Sequence, residues 1–260
     1  MSHDVKKFKL LKKLIGLIGY KLIDKYSTKT ERSIEKYSLN VEDFLEPLIK
    51  KKIIKKVIQV GANDGKGDDF LFKYLNQGLD AILIEPIDNV FNKLKENCKF
   101  FNKAKCLNKA VDVTNNIKEI YTIDLNFKNF YQKKYKSEDV EWLSVLSSFD
   151  KNHLIKHGIK KNHIISKKIS CVTFQKIIED FNYNDFDLLI VDTEGYDCTL
   201  INNFIDTIDL RPLIIFEWIH AKTPEIIMLL DKLKYKNYQF LKFGRDLICY
   251  QNNIIFHERS

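Results

Sequence analysis

One stretch decides how this chain folds: residues 56–65, which read KVIQVGANDG. Its first half is a short run rich in β-branched residues, which predicts a buried strand. The run ends at Gly61, and Gly65 follows before the next helical pattern, so the strand is predicted to enter a tight turn. Glycine allows a sharp bend and a close approach to bare backbone, and the unpaired amides at a helix start attract ligands. We therefore expect a ligand at this turn.

The length and composition indicate one α/β domain with additions. The 260 residues are 45% hydrophobic and 30% charged, which is typical of a globular protein and not of a disordered one. The net charge of +8 is carried largely by dispersed lysines. Charge of that kind usually solvates a surface, so we expect no nucleic-acid partner.

The cysteines show no paired spacing. All 5 are scattered along the chain without a CxxC sequence, which favours reduced thiols over a disulfide framework or a zinc site. The chain shows neither the pattern of a cleavable signal peptide nor an uninterrupted apolar run of about 18 residues. We therefore expect a cytoplasmic protein.

Residues 8–23 have the pattern of a basic amphipathic helix, because leucines and isoleucines recur among lysines at helical spacing. Such a helix could lie on an anionic membrane. Packing on its own domain or on a second subunit is the interpretation we favour. We assign residues 1–50 to an N-terminal helical extension that could support a homo-oligomer, and we expect no membrane contact.

Beyond the glycine turn, strand and helix patterns alternate along the chain. This alternation predicts the βαβαβ order of a parallel, doubly wound sheet. It stops in residues 126–168, which predict a cap insertion over a substrate. The last two strands are so close in sequence that they predict an antiparallel hairpin. We assign residues 51–260 to this sheet domain, with further strands predicted at 81–85, 105–111, 187–191, 213–218, 238–241 and 247–251 and an added strand at 121–124.

Three kinds of ligand could use a glycine turn of this type: a dinucleotide, a nucleoside triphosphate or S-adenosylmethionine. No GKS or GKT follows the glycines, which excludes a Walker sequence. The turn has fewer glycines than the GxGxxG that fits a pyrophosphate. Glu85 ends the second strand about 20 residues after the turn, where a carboxylate can accept hydrogen bonds from both hydroxyls of an adenosine ribose.

Five motifs resemble the FkbM family of S-adenosylmethionine-dependent methyltransferases, and they occur in the family's order. They are VIQVGANDG at 57–65, IEP at 84–86, NKAV at 108–111, VDTEG at 191–195 and FE at 216–217. The GAN turn and the DTEG block are the most specific of them. The resemblance implies a class I, Rossmann-like fold: a mostly parallel seven-stranded sheet with helices on both faces, in which the terminal hairpin places one antiparallel strand.

The resemblance also implies a set of cofactor-binding residues. Its members are Gly61 and Asn63 at the methionine end, Glu85 at the ribose, Val111 and Asp112 at the adenine, and in addition Ala62, Gly65, Pro86 and Asp192. Gln59 departs from the pattern, because it stands where many methyltransferases have an acid facing the methionine ammonium. We expect Asp192 or a backbone carbonyl to make that contact instead.

Polar residues also follow two later strands. Asp192 and Glu194 follow one strand, and Glu217 and His220 end its expected neighbour, so all four could face the sulfonium. Methyl transfer to a hydroxyl needs an in-line approach and a base. His220 suits that role by its ordinary pKa, and Asp192 is the competing candidate. The group could also be ordinary polar strand ends; three carboxylates could hold a divalent cation, but without a firm ligand spacing we expect no metal.

The insertion adds substrate-binding candidates. Ser147 and Ser148 could form hydrogen bonds with substrate or cofactor. His153 and His157 are four residues apart and would share one helix face, where they could hold a metal, contact a phosphate or simply belong to a polar helix. Tyr196 could stack on a sugar or base, or pack in the core. The substrate-binding candidates are Ser147, Ser148, His153, Tyr196 and His220.

Taken together, these features predict an S-adenosylmethionine-dependent O-methyltransferase. The resemblance favours hydroxyl acceptors, and we expect a sugar or nucleotide-sugar of surface polysaccharide (capsule or O-antigen) biosynthesis, since lysines around the cap suit a diphosphate. A secondary metabolite or a lipid-linked acceptor is the alternative within the same chemistry. An NAD-dependent oxidoreductase is disfavoured by the lone GxxxG spacing. A non-catalytic module for nucleic acid or membrane would account for the positive charge.

Overall fold

The computed structural model of the chain describes residues 40–67, 70–135, 143 and 146–251. The expected basic helix at residues 8–23 lies outside the described residues, as does Trp142, a candidate for stacking on a sugar or base. Among the described residues, no helix is long and apolar enough to cross a bilayer.

Strands and helices alternate along the described chain. The strands are β1 (Lys56–Val60), β2 (Asp80–Ile84), β3 (Ala104–Leu107), β4 (Ala110–Val111), β5 (Ile117–Ile123), β6 (Ser147–Ser148), β7 (Ile164–Val172), β8 (Leu188–Val191), β9 (Leu213–Glu217), β10 (Gln239–Phe243) and β11 (Asp246–Tyr250). The α-helices are α1 (Val41–Lys50), α2 (Phe72–Leu75), α3 (Asp88–Cys98), α4 (Lys128–Tyr135), α5 (Lys151–Lys156), α6 (Phe174–Phe181), α7 (Asp197–Thr207) and α8 (Thr223–Tyr235).

A seven-stranded sheet forms the centre of the fold, in the order β10-β11-β9-β8-β1-β2-β3. Neighbouring strands are parallel except at β11, which is antiparallel to both β9 and β10. This arrangement confirms the expected α/β class with a mostly parallel sheet. Strand β1 pairs with β2 on one side and β8 on the other, so the strand order reverses at β1. Open sheets of this kind bind ligands at such a point.

Helices cover both faces of this sheet because its central strands are apolar on both sides. The side chains of β1 show the alternation. Ile58 packs in a buried cluster with residues of α6, α7 and α8, whereas Val57 packs in another with residues of α1, α2 and α3. The sheet is therefore the middle layer of three, and polar groups gather where its strands end.

Helix α1 packs on the sheet, although the sequence placed it in an extension ending at residue 50. Leu45 and Ile49 are buried in the same cluster as Val57. The apolar positions at helical spacing in α1 account for this packing. The compact unit accordingly begins at Val41.

A second sheet, in the order β4-β7-β5-β6, takes β6 and the start of β7 from the stretch expected to be a cap insertion at 126–168. The strand predicted at 105–111 divides: β3 stays in the central sheet, while β4 pairs with β7. Strands β5 and β7 pair antiparallel from Ile117 with Ser170 to Ile123 with Ile164. The second sheet thus begins before the expected insertion and ends after it.

Gly61 is required by the packing of two strands as well as by the turn. Its φ of +80° is in the left-handed region, and a Cβ at this position would lie 1.8 Å from the carbonyl oxygen of Asp192. The end of β1 can approach the end of β8 this closely only because residue 61 has no side chain.

We expect Gly61→Ala to lower the free energy of unfolding by about 3 kcal/mol, because it adds both left-handed strain and overpacking. Gly78→Ala is the matched control, since Gly78 has a φ of +88° and its added Cβ would meet nothing within 4 Å. That change should cost only the backbone strain, about 1 kcal/mol. Urea unfolding of both variants measures the difference, and equal losses would contradict a tight approach to Asp192.

Candidate active site

A cleft opens at the carboxyl ends of β1, β2 and β8, at the point where the strand order reverses. The cleft and its open mouth together hold about 710 Å³ of space. Gly61, Asn63 and Glu85 line it on the side of the central sheet, and Ser148 and Tyr196 line it elsewhere. The structure therefore brings together residues of the glycine turn, the second strand and the insertion.

Glu85 is held in place by backbone hydrogen bonds. Its carboxylate accepts from the N–H of Asn63 at 3.2 Å and from the N–H of Ile87 at 2.9 Å, and the residue is only 6% exposed. Burial raises the pKa of Glu85 to about 7, against the lowering effect of these two bonds. Each carboxylate oxygen can accept a second hydrogen bond, so Glu85 retains acceptor capacity toward the cleft.

The glycine turn forms part of the cleft wall. The N–H groups of Gly61 and Ala62 donate to the carbonyl of Ile84 at 2.9 and 3.0 Å, which joins the ends of β1 and β2. A Cβ on Gly65 would lie 2.4 Å from a methyl group of Leu94 in α3. Gly65 therefore permits packing of the turn on α3, and it lines neither this cleft nor the cavity beside it.

A second cavity, of about 840 Å³ with its open mouth, adjoins the first and shares Gly61, Asn63 and Asp192 with it. It also reaches Gln59, which is 8% exposed. The Oε1 atom of Gln59 is buried and has no hydrogen-bond partner in the part of the chain that the structure describes. An unpaired buried acceptor is costly, so Gln59 marks a position where a donor on a ligand would be stabilised.

Carboxylates gather around the second cavity, where Asp192 is accessible to solvent and Glu217 is half-buried. Burial, together with the charges of Glu194 and Glu217, raises the pKa of Asp192 to about 7. Burial and neighbouring acids likewise raise the pKa of Glu217 to about 7. Like charges held close together favour either protonation or a bound cation.

Glu194 lies among three histidines at the edge of the cleft. Its Oε2 is 2.8 Å from His153 Nε2 and 3.4 Å from His220 Nε2, and the latter is 3.1 Å from Glu217 Oε2. The ring of His157 lies 4.5 Å from that of His153 and 5.3 Å from that of His220. The structure thus joins the predicted Glu194, Glu217 and His220 with the helix-face pair of the insertion.

The protonation of this group follows from burial and from the charges around it. Burial lowers the pKa values of His157 and His220, although Glu194 opposes the effect. Burial would raise the pKa of Glu194, but its hydrogen bond with His153 and the nearby imidazoles hold it below its ordinary value. Near neutral pH, His157 and His220 are therefore neutral and Glu194 is ionised.

Asp112 does not line the cleft, although the family resemblance implied a contact with adenine. Its side chain is fully buried, pairs with Lys118 Nζ at 2.9 Å and accepts a hydrogen bond from Tyr196 Oη at 2.7 Å. Burial would raise the pKa of Asp112, but these two partners hold it below its ordinary value. Asp112 thus fixes Tyr196, which lines the cleft, and Val111 lines it directly.

The other predicted residues line the two cavities or lie beside them. Pro86 and Ser147 line the first cavity, and Ala62 lines the second. Ser148 lines the first cavity, and its Oγ donates to the carbonyl of Glu194 at 3.1 Å. His153 and His220 line neither cavity but adjoin the first through Glu194.

Phe149 and Asp197 belong to the site but were not predicted from the sequence. Phe149 lines the cleft with its ring edge-to-face to Tyr196, at 5.1 Å between centroids; its position directly after the two serines was the available signal. Asp197 accepts hydrogen bonds from the N–H groups of Thr193 at 3.2 Å and Gly195 at 3.1 Å. Asp197 therefore fixes the conformation of the DTEG turn. The one signal for this role in the sequence was that an acid stands two residues after the DTEG block.

The protein is a class I, Rossmann-like methyltransferase. Three features define this class: the strand order, the cleft where that order reverses, and the buried acid Glu85 directly after β2. The sequence profile of the family described as "Methyltransferase FkbM domain" matches residues 59–240. The chain belongs to this FkbM family of S-adenosylmethionine-dependent methyltransferases. The family match confirms the resemblance that the five sequence motifs indicated.

Solved structures of similar shape are distant in sequence. An O-methyltransferase from Bacillus cereus, in complex with SAH, is 7% identical; the match covers 93% of this chain and 97% of that chain, with a TM-score of 0.41. A TehB-like S-adenosylmethionine-dependent methyltransferase from Corynebacterium glutamicum is 10% identical, with coverages of 96% and 97% and a TM-score of 0.33. A ribosomal protein L11 methylase from Lactobacillus delbrueckii subsp. bulgaricus is 12% identical, with coverages of 80% and 77% and a TM-score of 0.34. No curated protein matches the chain significantly.

The raised pKa of Glu85 should make the stability of the ligand-free protein depend on pH. The carboxyl ordinarily titrates near 4.5, but in the folded protein it keeps its proton to about 7. Between these values the folded state binds more protons than the unfolded state, so stability falls as pH rises. We expect Glu85→Gln to remove a pH-dependent change on the order of 3 kcal/mol from this window.

The measurement is the slope of the unfolding free energy against pH between pH 5 and pH 7. The slope is compared, and not the stability at one pH, because the substitution also alters absolute stability. Asp88→Asn is the control, since Asp88 is an exposed acid at the start of α3. The control should keep the wild-type slope. The same slope in Glu85→Gln as in wild type would contradict the raised pKa.

Proposed function

We propose that the protein is an O-methyltransferase that transfers a methyl group from S-adenosylmethionine to a hydroxyl of a sugar or nucleotide-sugar in surface polysaccharide biosynthesis. The observation that carries the cofactor assignment is a pair of buried acceptors on adjoining cavities. Glu85 faces the first cavity with its carboxylate fixed, and Gln59 faces the second with its Oε1 unpaired.

The first cavity suits the adenosine part of the cofactor. Glu85 would accept hydrogen bonds from the two ribose hydroxyls, as acids at this position do in related sheets. Val111 supplies an apolar wall, and Tyr196 and Phe149 offer aromatic surface. Aromatic and apolar side chains around a few fixed polar groups are the usual lining of a small-molecule site.

The second cavity suits the methionine part, because its polar groups are acceptors and acids. Gln59 Oε1 and the carboxylate of Asp192 would both receive hydrogen bonds from the ammonium. The amide oxygen of Gln59, together with an acid from the neighbouring strand, would take the place of the missing acid in β1. Asp64, Glu217 and Asp246 line the same cavity, and their charge would repel the pyrophosphate of NAD, which supports a cationic ligand over a dinucleotide.

S-adenosylmethionine supplies an electrophilic methyl group on a positively charged sulfur. The chain must hold the acceptor hydroxyl in line with that group and take up its proton. His220 and Asp192 are the two candidates for the proton. Neutral His220 has Glu194 and Glu217 beside it to stabilise an imidazolium, while the pKa of Asp192, about 7, lets it accept a proton near neutral pH.

The choice of acceptor rests on the family resemblance and on charge near the cleft. Lys109 lines the cleft, and no salt bridge among the described residues involves its amino group. A free ammonium there could bind the diphosphate of a nucleotide-sugar. Ser147, His153 and the other polar groups at the edge of the cleft offer hydrogen bonds for sugar hydroxyls.

We expect Glu85→Ala to weaken the binding of S-adenosylhomocysteine roughly 10- to 100-fold, because hydrogen bonds to a charged acceptor are lost. Isothermal titration calorimetry measures the affinity. Asp88→Ala is the control, because it removes a nearby acid that lines neither cavity. Unchanged affinity in Glu85→Ala would overturn the assignment of Glu85 to the ribose.

A methyl-transfer screen tests the acceptor class. Wild-type protein and Glu85→Ala are incubated with S-adenosylmethionine and, separately, nucleotide-sugars, free sugars, lipid-linked sugars and small phenols. We expect a mass gain of one methylene unit on a nucleotide-sugar with wild-type protein, and much less with Glu85→Ala because the cofactor binds poorly. Transfer to a phenol or a lipid-linked acceptor alone would overturn the proposed acceptor class.

A further inference from the structure

Three histidines and one glutamate converge at the edge of the cleft without a role in holding the cofactor. We propose that His153, His157, His220 and Glu194, here called the histidine cluster, bind one divalent transition-metal ion. Each residue offers one ligand atom, and these four atoms all lie within 4.8 Å of one another. This inference is the opposite of the expectation from sequence that the protein uses no metal.

The histidine cluster is assembled from three separate segments. His153 lies in α5 and His157 directly follows that helix, so their spacing of four residues puts both rings on one side. Glu194 follows β8, and His220 follows β9. Glu194 has a φ of +53°, an uncommon conformation for a residue other than glycine. Such backbone strain is often found where a side chain must be aimed at a functional site.

The distances within the histidine cluster are close to those of a metal site. Bonds of about 2.0–2.2 Å to a four-coordinate zinc ion place its ligand atoms roughly 3.3–3.5 Å apart. Glu194 Oε2 is 2.8 Å from His153 Nε2 and 3.4 Å from His220 Nε2. Small side-chain rotations would widen the first separation and close the remaining ones, none of which exceeds 4.8 Å.

The ligand atoms determine the class of ion. Three imidazole nitrogens with one carboxylate oxygen suit Zn²⁺ and similar transition metals, whereas Mg²⁺ and Ca²⁺ prefer oxygen ligands alone. Neighbouring groups would orient the ligands, as they do in known metal sites. Ser148 Oγ donates to the backbone carbonyl of Glu194 and so fixes the turn that carries this ligand. Glu217 Oε2, 3.1 Å from His220 Nε2, would give up its contact with that nitrogen when the ion binds.

A bound ion would link α5 to the ends of β8 and β9, beside the cleft that Glu194 lines. Its role in catalysis rests on the proposed function. A metal ion at the acceptor side would lower the pKa of the acceptor hydroxyl. His220 would then be a metal ligand and not the group that takes the proton.

The experiment uses full-length, tag-free protein that has been stripped of metal with a chelator. Titration with Co²⁺, followed by visible absorption, and with Zn²⁺, followed by calorimetry, should show one equivalent bound per chain. His157→Gln and His220→Gln should each weaken binding by more than about tenfold. Lys156→Ala is the control, because this exposed side chain lies beside His157 but outside the histidine cluster. Equal affinity in wild type and His157→Gln would overturn the site.

Binding of S-adenosylhomocysteine to the same samples separates this inference from the proposed function. Cofactor binding with no bound Co²⁺ or Zn²⁺ would show that the metal site is wrong while the methyltransferase assignment stands. Metal binding that His157→Gln weakens, without any cofactor binding, would support the site and overturn the proposed function. His157 is only partly buried, and an unchanged melting temperature of its metal-free variant shows that the variant remains folded.

Discussion

The active site depends on the close approach of two strand ends. The N–H of Asp192 donates to the carbonyl of Val60 at 3.0 Å, and the bare backbone of Gly61 leaves room for the carbonyl of Asp192. A side chain at residue 61 would force β1 and β8 apart at the point where the strand order reverses. The two cavities share Gly61, Asn63 and Asp192, so one ligand can span both only while this approach is kept.

Acids with raised pKa values are the second constraint, and they connect stability with ligand binding. Burial is the largest cause of the raised pKa values of Glu85, Asp192, Asp197 and Glu217, each about 7. Near neutral pH the ligand-free fold therefore holds carboxyl groups that would be more easily ionised in water. A ligand with hydroxyl donors and a positive charge stabilises the ionised forms. Because it binds only the folded state, it also stabilises the fold.

The sequence predicted the parts of the protein that depend on local patterns. The apolar strands, the glycine turn, Glu85 and the terminal hairpin each have a signal within a few residues, and the described structure contains all of them. Apart from the added strand at 121–124, the second sheet was missed because adjacent polar residues, KE in IKEIYTI and SKK in IISKKISCV, interrupt the strict alternation that predicts a strand. The pairing of Asp112 with Lys118 and Tyr196 was missed for another reason: Tyr196 is 84 residues away in sequence. A contact of that kind exists only once both sheets have formed.

Residues that local patterns predict and residues that depend on distant contacts also differ in the groups that fix their side chains. Glu85 and Asp197 are fixed by backbone N–H groups of their own turns and, for Glu85, of the glycine turn as well. Any sequence that forms these turns provides the donors. His153, Glu194 and His220 are fixed by one another's side chains. Substitution of His153, in the insertion, would therefore alter these side-chain contacts without disturbing the backbone hydrogen bonds that fix Glu85 and Asp197. In the function proposed above, the cofactor half of the site would thus be tied to the fold, and the acceptor half would be free to vary with the substrate.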